Sequence, residues 1–480
     1  MSNFMKKLLQ FCIGPISSAL INIIMIPLTT YFVVPEALGK ASMFTLVQTL
    51  FVATNLGLDQ AYTREYHVEG DKQNLLLNAM ILPIVLSVIV FTLFATNVKF
   101  FSSILFDETH YHLATYLTGF SAITMCIERF VLLKIRLEEK GLEYSFFIFV
   151  SKGCLAVVTM IIILFIRTDF LAIIYATIIA QFTFQLALFF RQWKIFDLSQ
   201  FKLDQQLNKK LLLFGLPLVL SILLGSLLKT AANISLRLFS DFEQMGLFMA
   251  GSKLVNLLMV IQTAFTVFWV PTAYRWHEED RKISDYKLVS DAILAVMSFS
   301  FLLLLFSRPL FVVVISERFK QAQYFISFLS FYPIMYTLAS TTKLGIVFAR
   351  KSYLNIIVNF VSLCSNVLLN FLLTPSLGAL GAAIAISASY IVYFLIFTFL
   401  SFRLWQGFSI KRHLFVVFLM FSLAVIDLLY PAYNVYVKIS MTIIFLLIQR
   451  EAIHNIIKIG IGFKTKKSKS EVKRGYSEPV

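Results

Sequence analysis

The chain has 480 residues, of which 59% are hydrophobic and only 14% charged, with a net charge of +16; mean hydropathy is +0.81. That composition excludes a soluble globular domain and points to a polytopic membrane protein, in which length counts helices rather than domains. The positive balance reads as a topological and lipid-directed signal, with no need of nucleic acid.

The expected fold class is an all-α polytopic membrane protein with about fourteen transmembrane helices. Lys6 and Lys7 precede an apolar stretch from about Leu8 to Val33. It matches the length of a span and exceeds a cleavable signal core, so it is predicted as the first helix. Later helices are predicted to start near Ser42, Leu75, Leu113, Tyr144 and Phe170, and then near Leu211, Gly246, Leu288, Ala322, Tyr353, Gly378, Leu414 and Tyr436. Placing both termini in the cytoplasm puts most loop Lys and Arg inside, as the positive-inside rule requires. The predicted organisation is an N-lobe (1–195), a basic cytoplasmic linker (196–210), a C-lobe (211–405), two extra helices (406–458) and a basic tail (459–480).

An internal echo suggests the two lobes. "TTYFVVPEALGKASMFTLVQTLF" and "SLRLFSDFEQMGLFMAGSKLVNLL" each read as helix, short acid-containing turn, glycine (Gly39, Gly246), helix. The copies lie six predicted spans apart, and an even spacing gives both the same orientation, as in transporters built from two parallel repeats.

Enzyme chemistry finds no support. Cys12, Cys126, Cys154 and Cys364 sit singly in apolar runs, without disulfide or metal spacing, and read as small buried hydrophobes. His110 and His112, in an outer loop, lack further ligands. The chain has no phosphate-binding loop and no D-x-D, so neither catalysis nor a cofactor is implied.

The informative residues are charges inside spans. Lys152, Lys229, Lys253 and Lys343 would together cost on the order of 10 kcal/mol if they faced lipid, so they are expected to face something wet. Polar neighbours recur at three and four residues: Ser226, Lys229, Asn233 and Arg237; Lys253, Asn256 and Thr263; Tyr332, Tyr336, Ser340 and Lys343; Asn355, Asn359, Ser362, Asn366 and Asn370. Each set shares one helix face. Packed about one axis, these stripes would line a cationic cavity suited to a diphosphate and a sugar chain. Other readings stand beside this one. Each lysine can snorkel to an interface, and the asparagine stripe can act as interhelical glue. Arg237 reads as cavity gate or interface anchor, and Arg64 as inner-mouth phosphate contact or topological anchor. Glu128 and Asp59 are the few acids placed to take a proton; Glu128 shares a face with Thr124 and Ser121, while Arg129 points about 100° away.

Three stretches also carry a family resemblance. "YFVVPEALGKAS", "MGLFMAGSKLVNLLMVIQTAFTVFWVPTAYRW" (with Trp269 and Pro271) and "SNVLLNFLLTPSLGALGAAIAISASY" resemble the first loop, the eighth helix and the eleventh and twelfth helices of polysaccharide flippases. These form a branch of the multidrug/oligosaccharidyl-lipid/polysaccharide superfamily, and the resemblance runs from about residue 8 to 455. It implies a transporter in the bacterial plasma membrane that moves undecaprenyl-diphosphate-linked oligosaccharide from the inner to the outer leaflet by alternating access. Its partners would be that glycan lipid, membrane lipids and a polysaccharide polymerase. A lipid II-type flippase and an ion-coupled drug exporter are the alternatives, although an excess of intramembrane Lys over acids favours an anionic cargo.

Overall fold

In lipid, backbone N–H and C=O groups find no water, so a chain this apolar must satisfy them within its own helices. The computed structural model describes residues 3–193, 201–351, 353–430 and 438–451, and among them every regular element is a helix. The basic tail 459–480, residues 196–200 of the predicted linker, the predicted helix start at Tyr436 and the side chain of Cys12 lie outside the described residues.

Helices α1 (Asn3–Phe32) and α2 (Pro35–Leu50) meet at Val34. Pro35 occupies the first helical position, where a missing N–H costs nothing. A 3-10 turn, Phe51–Asn55, and two left-handed residues, Leu56 and Gly57, lead into α3 (Leu58–Glu65). Next come α4 (Lys72–Thr96), α5 (Val98–Phe106), α6 (His112–Leu137), α7 (Gly141–Phe165) and α8 (Phe170–Gln192). The second half holds α9 (Gln205–Phe239), α10 (Phe242–Glu278), α11 (Ile283–Phe306), α12 (Arg308–Val314), α13 (Ile326–Leu329), α14 (Phe331–Thr342) and α15 (Leu344–Phe348). It closes with α16 (Leu354–Leu404), α17 (Lys411–Leu429) and α18 (438–451). Asp71, Asp204 and Asp241 cap α4, α9 and α10 by accepting from backbone N–H groups three residues on, which satisfies donors that a helix start leaves orphaned.

Ten described helices are long and apolar enough to span a membrane, and the chain is a multi-pass membrane protein. The expected count of about fourteen is not reached by that measure, for three local reasons. The described apolar part of α1 is Ile16–Phe32. The helix expected from Ala322 is broken into the 3-10 turn Glu317–Tyr324 and the short α13, α14 and α15; Pro333, near one break, has no N–H to give to the preceding turn. Finally, α16 runs through two predicted helices, leaving helical geometry only at Gly378 (φ 53°, ψ −129°).

The helix starts expected near Ser42 and Gly246 move toward the N-terminus. Pro35 starts α2 and Phe242 starts α10, so Gly39 and Gly246 lie inside helices, where their role is packing. A Cβ at position 39 would stand 1.9 Å from the Phe242 carbonyl oxygen, and one at position 246 would stand 1.8 Å from that of Pro35. Phe242 precedes Gly246 by four residues, as Pro35 precedes Gly39, so the contact is nearly self-symmetric, and only hydrogen fits between the helices. Other packing is mirrored too. In the first half α1 packs on α7, in the second α9 packs on α16, and α1 with α10 and α2 with α9 complete the joint. Gly378 is held by the same region: Ala379 N donates to Gln244 Oε1 of α10 at 3.1 Å.

Replacing Gly246 by Val should force α2 and α10 apart at a cost of about 1–3 kcal/mol or more, seen as a fall of several degrees in the unfolding temperature of detergent-purified protein. Gly153→Ala, where an added Cβ meets nothing within 4 Å, should leave it unchanged or raise it slightly.

Candidate functional site

Two cavities open within the bundle. The first, about 620 Å³, lies among α2, α6, α7 and α8; the second, about 860 Å³, lies between α1 and α10. Arg136, in the last turn of α6, and Tyr144, in the first turn of α7, line both, so the cavities adjoin at the Arg64 end of the bundle.

Their chemistry differs. Glu128, Arg129, Lys152, Gln48, Asn55 and Gln181 give the first cavity a polar wall. Arg129 is tied down: its Nη2 and Nε stand 2.8 Å and 3.1 Å from Asp59 Oδ2. Asp59 is buried while Arg129 is half exposed, so the guanidinium keeps donors toward the cavity. The second cavity is largely apolar, walled by Ile16, Leu257, Met259 and Val260, with Lys253, Asn256 and Thr263 among them. Lys253 Nζ donates to Thr29 Oγ1 across the α1–α10 gap at 3.3 Å. Just beyond α6, burial pushes the Glu138 carboxyl up, but hydrogen bonds and charge from Lys140 and Lys134 outweigh it and hold the group below its ordinary range. That ion cluster fixes the α6–α7 turn from which Arg136 and Tyr144 project.

Of the residues expected to form one site, Lys152 and Glu128 line the first cavity and Lys253 and Asn256 the second. The remainder lie elsewhere. Asp59 is the ion-pair partner of Arg129. Arg237 Nε donates to the Ile104 carbonyl at 3.1 Å, Nη2 stands 2.8 Å from Asp107, and the guanidinium stacks over Phe242; it joins α9 to the turn after α5. Arg64 lies over Phe214, 4.5 Å from the ring centre, and so joins α3 to α9. Lys343 sits against the Tyr336 and Phe397 rings, and Tyr336 stacks on Tyr393. Lys229 is exposed and Asn233 half-buried on α9.

The asparagine stripe turns out differently from a cavity lining. Asn366 and Asn370 are wholly buried. Asn370 Nδ2 donates to Asn366 Oδ1 and O, and Thr374 Oγ1 to Asn370 Oδ1. Asn359 Nδ2 donates to the Ser221 carbonyl of α9 at 3.3 Å. These amides bond within α16 and across to α9, because a buried amide away from water takes the nearest backbone or side-chain partner.

Arg136 and Arg129 were the residues missed as a pair. Read singly, each is an inner-end cation; seven residues apart on one helix, they share a face, and that spacing was the available signal.

A family model described as "Polysaccharide biosynthesis protein" matches residues 4–277, more than half of the chain. No curated protein matches it in sequence. Among solved structures, the fold is similar to that of "Lipid II flippase MurJ, inward closed conformation", with a TM-score of 0.67 and 16% identity over 93% of this chain and 99% of that one. It is also similar to a multidrug resistance MATE family transporter of the MOP superfamily in its inward-facing conformation (TM-score 0.58, 17% identity, 81% of this chain and 95% of that one). A MATE in complex with MaL6 gives a TM-score of 0.60 at 15% identity, over 82% and 95% of the two chains. At such identities the likeness concerns the fold.

Arg129→Ala should strand the buried Asp59 carboxylate and cost about 1–3 kcal/mol of stability. Adding Asp59→Asn should recover part of it, as read from thermal unfolding of the two single variants and the double variant.

Proposed function

The chain belongs to the polysaccharide biosynthesis protein family, and on that premise we propose that it is a membrane transporter of the flippase type that moves an undecaprenyl-diphosphate-linked oligosaccharide from the inner to the outer leaflet of the bacterial plasma membrane. The observation that carries this reading is the pair of adjoining cavities. One is polar, with Lys152, Arg129 and Arg136 to meet phosphate and sugar; the other is apolar and lies between α1 and α10. A lipid-linked glycan has the same division, with a diphosphate at the junction, and Arg136 stands where the two cavities meet. Guanidinium and ammonium groups suit that junction because they make charge-assisted hydrogen bonds to phosphate oxygens.

The cycle we propose uses two lobes, 1–195 and 211–405, that rock about the α2–α10 contact, its near-symmetry suiting a pivot. With both termini cytoplasmic, the Arg64 end faces the cytoplasm and the cavities are reached from there. The tie from Arg237 to Asp107 and Ile104 closes the opposite end. The head group enters by Arg136 and Lys152 and passes toward Lys253 as the lobes tilt, with Lys343 and Lys229 of the C-lobe reached during the movement. The polyprenyl tail stays in the bilayer along the α1–α10 gap. Glu128, in the polar cavity, is the acid we assign to proton coupling, and a membrane polymerase would take up the product.

A second reading, a lipid II-type flippase, is supported by the overall fold shared with MurJ. A drug exporter for cations fits less well, because the cavities present more basic than acidic groups and a cation would need the reverse.

Depletion of the protein in its host, followed by mass spectrometry of polyprenyl-diphosphate lipids, should show accumulation of one complete lipid-linked oligosaccharide. An unchanged pool would overturn the proposal, and accumulated lipid II would select the second reading. Arg136→Ala and Lys152→Ala, at normal membrane levels, should each lower export about tenfold or more, since a charge-assisted hydrogen bond contributes about 1.5–3 kcal/mol.

A further inference from the structure

The Arg64-end half of α9 has two faces with different duties. One packs on α3. Lys210 Nζ lies 2.7 Å from Glu65 and 2.9 Å from Glu69, Phe214 lies under Arg64, and a Cβ on Gly215 would stand 2.7 Å from the Leu56 carbonyl oxygen. The other face carries Lys209, Leu212, Leu213 and Leu216. Their spacing of three and four puts them in one stripe, and it turns toward α4. Between that stripe and Ile81 and Leu82 of α4 runs a groove of about 480 Å³.

Hydrogen bonds set the width of this groove. Asn78 of α4, wholly buried, donates through Nδ2 to the Lys202 carbonyl at 3.0 Å. Its Oδ1 accepts from Asp204 N at 3.0 Å and from Asn208 Nδ2 at 3.1 Å. Asn74 Oδ1 accepts from Lys202 N at 3.2 Å. The segment entering α9 is thereby pinned over α4 while the leucines below remain uncovered, Leu213 being 68% and Leu216 51% exposed.

Charge identifies the occupant. Lys210 is neutralised by two glutamates, but Lys209, exposed at the groove rim, has no ion-pair partner among the described residues. A cation without a counter-charge above an apolar slot is complementary to a molecule that is anionic at one end and hydrocarbon at the other, and a basic residue at an anionic leaflet contributes about 1 kcal/mol. We propose that this groove binds one anionic membrane phospholipid, its phosphate on Lys209 and one acyl chain along Leu212, Leu213, Leu216, Ile81 and Leu82. The groove shares no lining residue with the two cavities, so this site is independent of the transport reading.

Native mass spectrometry tests it on the full chain in detergent with equimolar phosphatidylglycerol and phosphatidylcholine. The wild type should retain a phosphatidylglycerol adduct in preference. Lys209→Glu should cut that retention about fivefold, and Leu213→Trp, which fills the groove and leaves the charge, should cut retention of both lipids. Both positions are exposed, so both variants should fold, and Lys411→Glu should behave as the wild type. Equal retention in the wild type and both groove variants would overturn the proposal. So would a photoreactive residue at position 213 that crosslinks to residues 194–200 of the same chain instead of to lipid.

Discussion

Two glycines let α2 and α10 meet backbone against backbone, and this contact joins the first half of the bundle to the second. Each glycine lies against the carbonyl four residues before the other, so the two helices cross at a spacing that no side chain permits. Close contact there brings the start of α10 beside Pro35 and leaves its middle to diverge from α1. The apolar cavity lies in that divergence, with Lys253 reaching back to Thr29 across it.

Around this joint, ion pairs do two kinds of work. Arg237 with Asp107, Lys40 with Glu108, and Lys210 with Glu65 and Glu69 join separate elements; being partly exposed, each contributes little by itself. Deeper pairs are of another sort. Arg308 and Lys438 share Asp427, and Arg412 meets Asp291 beside His413 and Ser290. These fasten α17 and α18 to α11 and α12 in surroundings where an unpaired charge is costly. Among the described residues, Lys152, Arg129 and Arg136 keep donors toward the first cavity and Lys253 lines the second, and these are the cations that the proposed cargo would meet.

How much of this could be read beforehand depends on the kind of residue. The apolar runs of α4, α7 and α11 are long enough to be read as spans without any partner, because lipid imposes the same condition on each. Gly378 was legible as a helix boundary. Pro35 misled, since a proline marks a helix start as readily as a turn, and the choice rests on what the following residues pack against. The intramembrane lysines were read as facing something wet, but the separate places they reach were not legible. Lys253 finds a cavity, whereas Lys343 finds the faces of Tyr336 and Phe397, an arrangement that also accommodates a cation.

Sequence by itself determined the solvent, the helical class, the polar face of each helix and the resemblance that the family match then bore out, because these depend on local composition and on spacing along one helix. Tertiary structure alone decided which faces meet. Asn366 and Asn370 sit on a polar stripe like that of Lys253 and Asn256, but one stripe is closed by its own helix and by α9 while the other borders open space. Asp59 and Arg129, seventy residues apart, become a pair only when α3 and α6 pack. Periodicity fixes where a side chain points on its helix; which neighbour fills that direction is set by the packing of the whole bundle.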